Sequence, residues 1–418
     1  MVTVSIIGVG ARGGEAYGKY INECKEKYDI VALCDLNPSK IEKYSAEFNV
    51  AKENCFLSED EFFKAKRSDV LVIATLDQDH IRVALKAIQL GYIILLEKPI
   101  SDNVEELYAL QKTAKEYGAT IIVCHVLRYT VAIRKIKELI DAKAIGQLVS
   151  FDDLEQVAYW HYAHSYVRGN WRSSENATPM IMAKCCHDLD LMQYFAESKC
   201  ESLSSIGSLK YFKKENKPAG ATERCLQCPH VDTCAYSAKR IYVDAWKANG
   251  QPQAWPYTVL TDKVVSEEEL LNKLETTRYG ECVFNGYNDV VDHQFVTANF
   301  ANGVTANLNM MAFTYGGGRI MRFFGTEGEI HYDEAADHIT VKKFGGDTTV
   351  YKISQLTDDL SGHRGGDHRM IDALYDVLEG KADSADTSLE RSIESHLMAI
   401  AAEKSRLNGG ECVKIHKD

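Results

Sequence analysis

A chain of 418 residues is too long for one ordinary domain and predicts two or three at roughly 100 to 200 residues each. Hydrophobic residues make up 45% and charged residues 26%, with a mean hydropathy of −0.26, which excludes a disordered or fibrous chain. The 48 Lys and Arg stand against 60 Asp and Glu, a net charge of −12 with no long basic run, so neither nucleic acid nor an anionic membrane is an expected partner.

The sequence runs from Met1 straight into Val2-Thr3-Val4-Ser5-Ile6-Ile7 without a basic, apolar leader. No window approaches the ~18 uninterrupted apolar residues of a membrane span. A cytoplasmic location is therefore expected. The twelve cysteines are expected as reduced thiols that are buried, reactive or metal-binding.

Along residues 1–125, β-rich runs at Val2 to Ile7, Ile30 to Cys34, Val70 to Ala74, Ile93 to Leu96 and Thr120 to Cys124 alternate with amphipathic stretches at Glu15 to Glu26, Ile81 to Leu90 and Val104 to Tyr117. That alternation predicts a doubly wound parallel sheet with crossover helices. A helix over Val131 to Ile140 follows, and then the period changes. Strand-like stretches at Leu148 to Ala158, Gln294 to Phe300, Val304 to Met311, Ile320 to Phe324, Glu329 to Tyr332, His338 to Lys343 and Thr348 to Ile353 are separated by glycine-rich turns. They predict a large, mostly antiparallel open sheet in an α/β domain over 126–418. Helices at Met370 to Leu378 and Leu389 to Arg406 are expected to cover part of that sheet. Residues 212–285 hold Pro218, Pro229, Pro252 and Pro256 and three clustered cysteines, which marks an irregular lobe.

Gly8-Val9-Gly10-Ala11-Arg12-Gly13 follows the first strand and opens a helical stretch. In that context Gly8 makes the tight turn, Gly10 lets a pyrophosphate approach backbone N–H groups, and Gly13 allows close helix–strand packing. The helix amino terminus adds donors and a positive dipole end. Asp35 ends the second strand, 22 residues after Gly13, where a carboxylate accepts from a ribose 2′-hydroxyl and repels a 2′-phosphate. NAD is favoured over NADP on this ground, with Arg12 a nearby cation. The bland alternative is a glycine-rich turn that holds no ligand.

Further residues carry a resemblance. Ala74-Thr75 with Asp77 and His80, Leu96-Glu97-Lys98-Pro99, His125-Val126-Leu127-Arg128-Tyr129, Asn170-Trp171-Arg172, Cys186-His187-Asp188-Leu189-Asp190, Gly325-Thr326-Glu327-Gly328 and His363-Arg364-Gly365-Gly366-Asp367 together resemble the Gfo/Idh/MocA family of sugar and cyclitol oxidoreductases over essentially the whole chain. The resemblance implies an NAD(P)-binding domain followed by a substrate domain that often makes oligomer contacts, and so a homo-oligomer, a dimer or tetramer. It places Lys98 beside nicotinamide and substrate, with Thr75, His80 and Glu97 at the cofactor, and makes His187 the active-site histidine, followed by Asp190. Many members carry an aspartate four residues before that histidine, where this chain has Ala183 followed by Lys184. Chemically the pair is reasonable: a histidine suits removal of a hydroxyl proton near neutral pH, and a lysine stabilises a developing alkoxide. Taken singly, each residue is equally readable as a solvated lysine or a core histidine.

The segment from Trp160 to Arg172 is dense in aromatic and hydrogen-bonding groups. Sugars stack on aromatic faces and bond through their hydroxyls, so Tyr166, Arg168, Trp171 and Arg172 are expected at the substrate, with Arg168 or Arg172 available to an acidic substituent. Arg128, Lys184, Asp190 and His363 complete the expected substrate set. The same aromatics also suit an interface or core loop.

Cys225-Leu226-Gln227-Cys228 with Cys234 supplies three local thiols. Tetrahedral zinc needs four ligands; His230 or a distant thiol are the candidates, and Cys282 is similar to a cysteine that accompanies this cluster in one branch of the family. A closed site on Cys225, Cys228, Cys234 and Cys282 is expected to be structural, stapling a lobe with little core of its own. An iron–sulfur cluster and metal-free thiols are the alternatives. The function expected is NAD-dependent oxidation of a secondary hydroxyl of a sugar, sugar acid or glycoside. Its rivals are a glycoside-cleaving enzyme that oxidises transiently, eliminates and re-reduces, and a non-catalytic NAD- or sugar-binding regulator.

Overall fold

The computed structural model describes residues 1–175, 177–382 and 385–416. Strands β1 (Val2–Ile7), β2 (Tyr28–Cys34), β3 (Cys55–Phe56), β4 (Val70–Ile73), β5 (Ile93–Leu96) and β6 (Ile121–Val123) form a parallel sheet in the order β3-β2-β1-β4-β5-β6. The order reverses beside β1, between β2 and β4, and that crevice is where an open α/β sheet takes its ligand. β4 is apolar on both faces and wholly buried, as a strand sandwiched between helices must be, and β1 is buried from Val4 to Ile7 with Ser5 its one buried polar side chain. The helix Val104–Tyr117 matches its expected bounds because its ends are chemically marked: the Asn103 side chain accepts from the Glu106 N–H, and Gly118 closes it at φ 62°.

The second sheet has nine strands. These are β7 (Leu148–Val157), β8 (Cys200–Ser208), β9 (His293–Phe300), β10 (Thr305–Met311), β11 (Gly317–Gly325), β12 (Gly328–Asp333), β13 (His338–Lys343), β14 (Thr348–Lys352) and β15 (Val413–Lys414). Their order is β14-β13-β12-β11-β7-β10-β9-β8-β15. Every pairing is antiparallel except β7 with β10.

Two features differ from the sequence reading, both in the closing helices, and a third, in the lobe, agrees with it. The helix Ser361–Leu378 packs through Met370, Ile371 and Leu374 into the core of the first sheet, not over the second. Leu389–Leu407 does both, lending Leu389, Ile393 and Leu397 to the first domain and Met398 and Ala402 to the core of the second. The lobe, lastly, has no separate core: Phe212, Tyr242, Trp246, Leu270, Leu274 and Phe284 join the cluster that includes Phe151 and Phe323 of the second sheet.

Candidate active site

The dinucleotide turn is built by sterics. Gly8 has φ +86°, and a Cβ there would lie 2.3 Å from the Ala74 carbonyl oxygen; one on Gly13 would lie 2.2 Å from Gly8 O. At Gly10 the nearest atom to such a Cβ is Lys40 Nζ at 3.7 Å, so the backbone there is open to a phosphate. Asp35 Oδ2 accepts from Val9 N at 2.9 Å and Oδ1 from Asn37 N at 2.8 Å, fixing the carboxylate at the end of β2. These residues fit NAD.

Arg12 is not free to meet a 2′-phosphate. Its Nε donates to Glu97 Oε1 and its Nη2 to Asp367 Oδ1, both at 2.7 Å, and Nη2 also donates to the Tyr17 hydroxyl. Burial opposes ionisation of Asp367, yet Arg12 and His363 hold it well below the usual carboxylate range. Arg12 thus ties the cofactor turn to β5 and to the distant His363–Asp367 turn. His80 likewise works inside the fold: it is 1% exposed, with Nδ1 2.6 Å from Pro99 O and Nε2 3.3 Å from Thr75 O, and clamps the ends of β4 and β5. Thr75 Oγ1 is buried without a partner among the described residues.

Lys98, in the turn after β5, donates from Nζ to Ala183 O at 3.1 Å, and Glu97 Oε2 accepts from the Lys98 N–H at 2.8 Å. The Lys98 ammonium therefore reaches the segment that precedes the helix Cys186–Ala196, on which His187 stands. His187 is 6% exposed and its Nδ1 is buried with no hydrogen-bond partner among the described residues. Its ring lies 5.8 Å from that of His125 and 6.1 Å from that of His363. Burial, then the positive charge of Lys98 and the other cationic neighbours, pushes His187 well below the ordinary histidine value, so it is a neutral imidazole near pH 7. Among the described residues no carboxylate takes the place of the aspartate absent at Ala183 on His187 Nδ1.

Several expected substrate residues are engaged by partners within the fold. Arg128 and Asp190, 2% and 1% exposed, form a bidentate pair at 2.7 and 2.7 Å, and Arg128 also reaches Gln193 and the Asp386 carbonyl. Buried on both sides, they anchor the His187 helix and are closed to a ligand. Arg168 is 1% exposed and donates to Glu281 O and Tyr236 O at 2.8 Å each, holding the lobe rather than a substrate. Arg172 is spent on Glu281 at 3.1 Å. Trp171 donates from Nε1 to Asp77 at 2.9 Å, bridging to the loop after β4.

Lys184 and His363 remain reachable groups, whereas Tyr166 is 4% exposed. Lys184 Nζ lies 3.1 Å from Glu155 Oε1 and its side chain is 20% exposed. His363 bonds to Asp367 at 3.0 Å. The sequence reading passed over His161, His125, Trp255, Glu155 and Arg319. His161 packs edge-on to Trp255 at 4.9 Å and lies 6.1 Å from Tyr166, while burial and Lys184 push it well below the ordinary histidine value. The place of His161 in the aromatic run from Tyr159 to Tyr162 was the sequence signal for this pocket's wall; the Glu155–Arg319 contact is cross-strand, between β7 and β11, and has none.

The expected zinc site is not supported. Cys225, Cys228, Cys234 and Cys282 do line one cavity, with His230, but all four are free thiols, and among the described residues no group of three or more His, Cys, Asp or Glu is placed to hold a metal ion. Cys225 Sγ instead meets Arg168 Nη2 at 3.5 Å and Glu281 O at 3.7 Å, and His230 Nε2 is bonded to Ala219 O. A lobe that shares the main core has no need of a metal staple.

Two family models match this chain: the oxidoreductase family NAD-binding Rossmann fold over residues 2–125, and the oxidoreductase family C-terminal alpha/beta domain over residues 137–415. The chain belongs to the Gfo/Idh/MocA oxidoreductase family. YteT of Bacillus subtilis strain 168, named as an oxidoreductase, is 22% identical over 410 residues, which cover 91% of this chain and 92% of its own. A glycosyl hydrolase family 109 protein of Solibacter usitatus is 27% identical over 52% of this chain and 54% of its own. Among solved structures, the WlbA dehydrogenase of Chromobacterium violaceum, in complex with NADH and UDP-GlcNAcA, superposes with a TM-score of 0.69 at 14% identity, covering 100% of this chain and 96% of its own. Membership establishes the NAD-binding fold and an oxidoreductase ancestry; among the described residues no helix is long and apolar enough to cross a membrane.

Proposed function

We propose that this protein oxidises a secondary hydroxyl of a carbohydrate with NAD, using Lys98 and His187. The observation that carries the reading is the pairing of a lysine ammonium, held on Ala183 O at 3.1 Å, with a neutral buried histidine four residues beyond that carbonyl. NAD⁺ bound at the Gly8–Gly13 turn would supply the hydride acceptor. Lys98 stabilises the oxygen as it becomes an alkoxide, and His187, neutral, takes the hydroxyl proton. Arg128 and Asp190 position His187 through its helix, and Arg12 positions the cofactor turn. The aromatic wall of Tyr166, His161, Trp160 and Trp255 suits a sugar ring.

A redox-neutral glycosidase is the second reading, favoured by the Solibacter usitatus relative. Purified protein given aryl glycosides without added nicotinamide separates the two. Stoichiometric NADH from free sugars plus NAD, with no aglycone release, supports the dehydrogenase; aglycone release with no net NADH supports the glycosidase. Absence of NAD binding would sink both.

Self-association is part of the proposal. On the outer face of the second sheet, Ile206 opposes Phe295 on neighbouring strands, at 60% and 41% exposure, and Leu154 opposes Ile320, two apolar pairs flanking Asn309 that a second copy of the chain could cover. Sedimentation should show a dimer or tetramer.

A further inference from the structure

Buried polar side chains are normally paired, and beside His187 three ring nitrogens are not. His125 is 0% exposed, yet neither of its nitrogens has a hydrogen-bond partner among the described residues, and His187 Nδ1 is the third such atom. The two rings stand edge to face with their centres 5.8 Å apart. Imidazoles joined by an N–H···N bond of roughly 3 Å have centres about 5 Å apart, so these rings are within about 1 Å of bonding distance. Catalytic hydrogen bonds are commonly long in the unliganded state and tighten when substrate binds.

The other groups around the pair are committed elsewhere. His396, 5.5 Å from His125, has Nδ1 on Ser392 O at 2.8 Å, and its Nε2 accepts from the Ile100 N–H at 2.9 Å. His363 is turned to Asp367 through Nδ1 at 3.0 Å. Lys98 offers only donors and is held on Ala183 O, Arg319 is bonded to Glu155 and Asp188, and Arg128 is bonded to Asp190.

His125 is polarised to accept. Its Nε2 lies 3.9 Å from Asp190 Oδ1, beyond a hydrogen bond but close enough for the carboxylate to favour the proton on that nitrogen. Burial, then Arg128 and Lys98, keep the ring neutral, so Nδ1 of His125 carries a lone pair. Nδ1–H of His187 is the donor that suits it. A His187 protonated on Nδ1 has its Nε2 lone pair free for the substrate hydroxyl.

We propose that His125 is a positioning residue for the oxidation: it accepts a hydrogen bond from His187 Nδ1–H, the role that Ala183 cannot fill, and so fixes the tautomer in which His187 Nε2 is the base. The hydroxyl proton passes to Nε2, Nδ1–H stays on His187, and no proton moves to His125. This rests on the reading of His187 as the base and deepens it.

Nitrogen NMR of protein carrying isotopically labelled histidine and saturated with NADH reads the tautomer, with the His187 signals identified by their loss in His187→Gln. Wild type should show His187 protonated on Nδ1. His125→Leu should move that proton to Nε2, whereas His125→Gln, which keeps an acceptor, should hold it on Nδ1. Because His125 has no partner in the fold, His125→Leu should melt at or above the wild-type temperature. Its kcat should fall at least about tenfold, a part of the roughly 10² to 10⁴ that a general base contributes, with NADH affinity unchanged and partial recovery in His125→Gln. A wild-type His187 protonated on Nε2, or an Nδ1 proton that survives His125→Leu, would overturn the proposal. The expected tautomers in a protein that turns over no sugar would count against the oxidoreductase reading instead.

Discussion

Arg128→Met tests whether Arg128 belongs to the scaffold or to the substrate pocket. The substitution removes both 2.7 Å contacts to Asp190 and leaves a carboxylate 1% exposed with no cation to neutralise it. Breaking a buried pair from one side costs about 3 to 5 kcal/mol, because the remaining charge has neither solvent nor partner. At roughly 2 to 4 °C per kcal/mol for a domain of this size class, the melting transition should fall by about 10 °C. Asp190 stands one turn after His187 on the same helix, so turnover should fall with the fold. The double variant Arg128→Met/Asp190→Leu replaces the pair with apolar groups, a change that is often neutral. It should recover most of the melting temperature and of the activity. Thermal scanning together with kcat/KM for wild type, single and double variants decides the matter: a single variant that melts like wild type but loses substrate affinity, with no rescue by the double, would refute the argument and return Arg128 to the substrate.

Other outcomes follow from the same geometry. Gly8→Ala should abolish NAD binding, since the new Cβ would sit 2.3 Å from Ala74 O at a backbone φ of +86°; a dissociation constant within threefold of wild type would contradict this. Because His187 must be neutral to accept a proton and is held below the ordinary histidine value, kcat/KM should stay level down through pH 6.5 and fall only in more acidic buffer, whereas a limb at or above 6.5 would show an ordinary histidine. His396 is buried and pushed down to about 3, by burial first and His125 next. A histidine depressed in the folded state loses its contribution as pH falls through the unfolded value near 6.5, so wild type should lose about 2 kcal/mol more than His396→Asn between pH 8 and pH 5. A pH-independent difference in urea unfolding would show that His396 is not buried neutral.

The parts of the site that were legible are those encoded locally. Gly8, Gly10, Gly13 and Asp35 follow from one strand, one turn and the end of the next strand, and the sheet order confirms the crevice they imply. Lys98 and His187 were legible only through the pattern of neighbouring residues, and Ala183 shows the same pattern broken. Charge without burial misled: Arg128, Arg168 and Asp190 look like ligand-binding groups in a sequence, and each is sealed inside the fold with a long-range partner. Glu155 and Arg319 were invisible for the same reason in reverse, since only the β7–β11 register puts Glu155 opposite Arg319. The cysteine cluster shows the limit of spacing arguments. Its thiols do share a cavity, but the lobe's aromatics join the main core and Arg168 ties the cluster down.

The most direct measurement is turnover against NAD affinity for Lys98→Ala and His187→Ala. General acid–base and charge-stabilising groups contribute about 10² to 10⁴ in rate, so each variant should lose at least a hundredfold in kcat while binding NAD within threefold of wild type. Retention of wild-type kcat by either variant, with NAD still bound, would contradict the assignment of the chemistry to this pair.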